Sequence, residues 1–130
     1  MGILILFVVG RIIFGIYWLN VGYNHLKHAD MLAGYAKSKG IMSGKAAVVG
    51  SGILALLGGL SIILGAWPRV GLILIAIFLI GVTFGIHTYW KVTDPQARQM
   101  DQVQFNKNMA LLGASLLLMS ASIPWMWSVI

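Results

Sequence analysis

Four long apolar runs set the limits on what this chain can fold into. They cover roughly residues 3–26, 46–66, 70–90 and 108–127, and each is near the ~20 residues a helix needs to cross the hydrocarbon core of a bilayer. In lipid every backbone N–H and C=O must be paired internally, and none of the runs alternates like a barrel strand, so the runs are predicted to be α-helices. The expected fold is all-α: an integral membrane four-helix bundle, one domain over residues 1–130. Charged residues make up only 9% of the chain, against about 25% in soluble domains, so too little polar surface exists to face water. The first run has no basic segment before it, no small-residue cleavage site after it, and Arg11 in its middle, so it is expected to be a retained span rather than a signal peptide.

The connections differ in kind. Trp67-Pro68-Arg69 reads as a tight hairpin. In the first loop, Asp30 is the expected N-cap of a short interfacial helix, with Met31, Leu32 and Tyr35 on its apolar face and Gly40 as its stop. The third loop, residues 91–107, is polar, and its only expected order is a turn at Asp94-Pro95. The formal net charge is +6, and Lys27, Lys37, Lys39, Lys45, Lys91, Arg98 and Lys107 all fall in or beside the two long loops. The positive-inside rule then predicts a multi-pass protein of the cell (inner) membrane, with both long loops cytoplasmic and both termini outside. The lipid bilayer, not nucleic acid, is the expected partner of this charge. Trp125 and Trp127 are expected to anchor the outer interface.

Glycine weakens helices in water but lets membrane helices approach closely. Ser51, Ala55, Gly58 and Gly65 form a small-residue stripe on the second span, and Gly81 and Gly85 a GxxxG pair on the third. On the first span Arg11, Gly15, Trp18, Gly22 and His25 recur at steps of four and three and share one face. At 1.5 Å per residue Arg11 lies about 12 Å into that span, near mid-membrane, and His25 about 21 Å further on. No carboxylate lies within a span, so Arg11 is expected to find carbonyls, Ser61, Ser115, water or a ligand. It is either a clamp between helices or a donor to a lipid phosphate or quinone oxygen.

A second stripe, Thr83, His87, Trp90 and Asp94, runs along the third span, where Asp94 is expected to orient His87. His25, His28, His87, Asp94 and Asp101, joined by Lys107 and Asn108, can gather at the long-loop side of the bundle. A His25, His28, His87 metal site is disfavoured, since neither HxxxH nor HExxH is present and cysteine is absent; no metal is expected. Asn20 and Asn24 lie on another face of the first span and read as helix–helix hydrogen-bonding groups.

The segments GRIIFGIYWLNVGYNHL, MLAGYAKSKGI, SGILALLGGLSIILGAWPRVGLILIAIFL, HTYWKVTDPQAR and FNKNMALLGASLLL, in this order, resemble the DoxX family of small four-span membrane proteins. The family commonly has a small apolar residue and Pro after the SKG, where this chain has Ile41-Met42. The resemblance implies association with membrane redox complexes, among them a thiosulfate:quinone oxidoreductase and terminal oxidases, and in other relatives a role in assembly.

The resulting expectation is an accessory subunit of a quinone-linked membrane oxidoreductase, not catalytic alone, whose intrabundle cavity binds quinone or lipid. Candidate cavity residues are Arg11, Trp18, Asn24, His25, His87, Trp90, Asp94, Lys107 and Asn108; no catalytic residue is assigned. Oxidoreductase subunits or a second copy of the chain are possible partners. The alternative is a non-enzymatic assembly factor for other membrane proteins.

Overall fold

The structure is a computed structural model and describes residues 1–125, 127 and 128. It is all-helical: α1 (Gly2–Lys27), α2 (Ala29–Ser38), α3 (Gly44–Leu64), α4 (Pro68–Gly85), a 3-10 turn (Tyr89–Lys91) and α5 (Pro95–Met119). Three segments among the described residues are long and apolar enough to cross a membrane: α1, α3, and α4 together with its continuation to Lys91. Their outward faces carry Ile12, Ile13 and Ile16, then Ile53, Leu57 and Leu60, then Ile73, Ile77 and Ile80, all exposed. Such large apolar faces belong against lipid.

The order of packing is α1 on α3, α3 on α4, and α4 on α5, with α2 laid across α3. Glycines set the two closest crossings. A Cβ on Gly59 would stand 2.8 Å from the Gly15 carbonyl oxygen, and one on Gly22 would stand 2.7 Å from that of Gly52, so α1 and α3 pass antiparallel with backbone nearly touching backbone. Gly58 faces α4 similarly, 3.1 Å from the Gly71 oxygen. The face of α1 foreseen from spacing is the one that buries: Arg11, Gly15, Trp18 and Gly22. Trp18, Ala55, Ile62, Leu72, Ile75, Phe78 and Leu79 form the core. Among the described residues the expected Gly81/Gly85 contact is absent. A Cβ on Gly81 would meet nothing within 4 Å, and one on Gly85 would meet only Ile41.

Two loop expectations change. The interfacial helix begins at Ala29 with His28 as its N-cap, so Asp30 lies in its first turn, where a carboxylate favours the positive end of the helix dipole. Gly40 does end it, at φ 93°. The third loop is mostly helix. Pro95 occupies the first turn of α5, and the Asp94 side chain accepts the Ala97 N–H at 2.9 Å. The expected turn residues are therefore the start signal of a helix that runs on through Asn108. Asp94→Ala should reduce stability by about 1 kcal/mol, read by thermal unfolding in detergent.

At the other end the apolar run of 108–127 is helical only to Met119. Beyond it the chain folds back, and Trp125 is buried edge-on against Phe7 instead of anchoring an interface. Trp127 is exposed. Residue 126, within the expected fourth span, lies outside the described residues.

Candidate functional site

Arg11 sits level with the end of α3, not midway along it. Its Nη2 donates to the Ile63 carbonyl and to the Trp127 carbonyl, each at 3.0 Å, and the guanidinium lies 5.9 Å from the Trp125 ring centre. Ile63 is in the last turn of α3, whose carbonyls have no partner within the helix. A cation there answers both the orphaned acceptor and the negative end of the dipole. The expected serines are otherwise engaged: Ser61 donates to the Ala66 and Trp67 carbonyls, and Ser115 to that of Leu111. Arg11 also borders a small cavity of about 230 Å³ with Phe7, Phe14, Ile62, Leu118 and Trp125.

The geometry makes Arg11 a clamp for the chain after α5. Arg11→Leu should change global stability by less than about 2 kcal/mol, because relief of a buried charge offsets the lost bonds. The same substitution should open Trp125 to acrylamide quenching; an unchanged quenching curve would contradict the clamp.

The larger cavity lies at the opposite end, under α2. Its volume is about 410 Å³, within the range of small-molecule sites. Its walls are apolar, chiefly Leu32, Val48, Leu54, Ile77, Phe78 and Ile86, and its polar groups include His25, His87, Tyr35 and Ser51. Gly81 also lines it, and the open space beside that glycine is space a side chain would otherwise occupy.

Each histidine is held through Nδ1. His25 Nδ1 lies 2.9 Å from the Val21 carbonyl oxygen, with its ring against Phe78 at 5.3 Å. His87 Nδ1 lies 3.3 Å from Asp101 Oδ1. Lys39 Nζ donates to Oδ2 of the same carboxylate at 2.5 Å, and Tyr35 Oη donates to Oδ1 at 3.4 Å. Asp101 therefore ties α5 to the end of α4 and to α2, which roofs the cavity. Burial pushes the Asp101 carboxyl up, but the hydrogen bonds from Lys39 and His87 and the charge on Lys39 outweigh it and leave the carboxyl below its ordinary range. Lys39 is raised for the matching reason: Asp101 overcomes the burial that works against its charge.

Of the candidate residues, the structure brings His25 and His87 together as walls of this cavity. Trp18 is fully buried in the core, and Asn108 is buried on α5. Asn24 is exposed, as are Asp94 and Lys107; Lys107 donates to Gln104 on its own helix. Trp90 packs edge-on to Tyr89 and Phe105 outside the cavity. Asp101, not Asp94, orients His87. Asp101 is nevertheless reachable from sequence, because it falls seven residues before Asn108 and fourteen before Ser115, one stripe of a continuous helix. Lys39 and Tyr35 carried no such signal. Among the described residues no three potential metal ligands gather.

The sequence profile of the DoxX family matches residues 6–88, well over half of the chain. The chain belongs to the DoxX family. The DoxX match runs from the first turns of α1 through His87 and thus includes both cavity histidines, Tyr35 and Lys39; Asp101 lies beyond it. No curated protein and no solved structure matches the chain significantly.

Proposed function

We propose that this DoxX-family protein binds an amphiphile, a quinone or a lipid, in the cavity under α2 and serves as an accessory subunit of a membrane redox complex. The observation that carries the reading is one apolar cavity of about 410 Å³ whose polar groups include two imidazoles, each fixed by a hydrogen bond on one nitrogen. That is the build of a site that takes a greasy body and orients a small polar head. The redox association rests on family membership, and the absence of cysteine assigns any electron transfer to a bound molecule or a partner. In this reading α5 completes the bundle as the fourth crossing. The lysine-rich loops support a cavity at the cytoplasmic side of the inner membrane, by the positive-inside rule.

The test is native mass spectrometry after gentle solubilisation from the protein's own membranes, comparing wild type with Gly81→Leu. The leucine adds bulk at the cavity wall where a Cβ meets no atom within 4 Å. The expected result is a small amphiphile and redox subunits on the wild type, with the amphiphile lost from a folded variant. Wild type recovered free of both would overturn the proposal.

A further inference from the structure

The tautomers of the two cavity histidines select the chemistry of the ligand head. A backbone carbonyl only accepts hydrogen bonds, so the 2.9 Å contact between His25 Nδ1 and the Val21 oxygen requires the proton on Nδ1. Asp101, also bonded by Lys39, is an ionised acceptor, so His87 Nδ1 carries its proton as well. A neutral imidazole has one N–H, and in both rings it is already spent. Each Nε2 is then a lone-pair acceptor, and among the described residues neither makes a hydrogen bond within the protein.

From this we infer that the cavity selects hydroxyl-bearing apolar molecules, phenol- or hydroquinone-like heads that donate hydrogen bonds, over heads of equal size that only accept them. The inference rests on the binding reading above and narrows it. Of a quinone pair, the reduced, hydroxyl-bearing form is the one that fits. A carbonyl head brings acceptor lone pairs toward acceptor nitrogens, and binding it requires an imidazole to take up a proton or turn away from its partner. Tyr35 and Ser51 do not reverse the preference, because the Tyr35 hydroxyl proton is directed to Asp101 and that of Ser51 to the Val48 carbonyl.

The experiment compares 1-naphthol with its methyl ether, 1-methoxynaphthalene, by equilibrium dialysis against the purified full chain in detergent. Both present the same ring; only the naphthol donates. The ether is the more apolar of the two, so partitioning alone favours it. The expected result is naphthol binding at least about fivefold tighter, the worth of one net hydrogen bond, with the ratio falling to one or below in His25→Phe/His87→Phe. Equal binding, or tighter binding of the ether by wild type, overturns the inference and leaves the cavity a binding site. Binding of neither overturns the reading beneath it. The wild-type comparison stands alone if the double variant does not fold.

Discussion

Asp101→Ala is expected to lower unfolding free energy by about 3–5 kcal/mol, the loss typical when one member of a buried ion pair is removed. The Asp101 side chain is only 8% exposed and that of Lys39 17%, so the substitution strands an ammonium in a largely dry setting. It also releases His87 and unfastens α2 from α5. Reversible unfolding in mixed micelles reads the loss. Asp101→Asn should lose less, because an amide oxygen still accepts from His87 Nδ1.

The pH dependence has a definite sign. The folded Asp101 carboxyl is lowered, so its stabilisation is present above the unfolded value of about 3.9 and is lost as pH falls through the lower folded value. The folded Lys39 ammonium is raised, so its contribution is complete below about 10.4 and is lost as pH rises through the higher folded value. The difference in stability between wild type and Asp101→Ala should therefore be flat between about pH 7 and 10, where His87 stays neutral, and shrink above it; on the acid side it shrinks only once Asp101 itself protonates, below about pH 4.

Gly59→Leu is the second large effect expected. A Cβ at Gly59 meets the Gly15 carbonyl oxygen at 2.8 Å and the Leu19 amide nitrogen at 3.0 Å. Both are backbone atoms, so no rotamer change relieves the clash, and α1 must move off α3. A loss on the order of 4 kcal/mol or more follows, seen as little folded protein recovered in detergent. Gly50→Leu is the matched control, since a Cβ there meets nothing within 4 Å. Equal loss in both variants would mean that glycine content as such, and not the α1–α3 crossing, sets stability.

The helices of the membrane region were legible because length and hydropathy dictate them, and the buried face of α1 was legible because steps of four and three keep residues on one side. Failures came where a polar helix continues an apolar one. Residues 95–107 lack apolar periodicity, so only the Asp94-Pro95 start signal marks α5, and a turn reading misses it. Running the stripe Thr83, His87, Trp90 and Asp94 past Gly85, where α4 ends, gave His87 the wrong carboxylate. The partner of Arg11 at the end of α3 was not legible, because position along α1 says nothing about where α3 ends. The pairing of Lys39 with Asp101 joins residues 62 apart and depends on how α2 lies across the bundle, which local sequence does not encode.

Two imidazoles, each fixed through Nδ1, wall one cavity, and its binding character depends on both. The chain has only three histidines, so nitrogen NMR of histidine-labelled protein at neutral pH, assigned with His25→Phe and His87→Phe, reads their tautomers directly. The predicted result is Nδ1–H with unprotonated Nε2 at both His25 and His87. Nε2–H at either ring, or the averaged shifts of a freely exchanging imidazole, would contradict it.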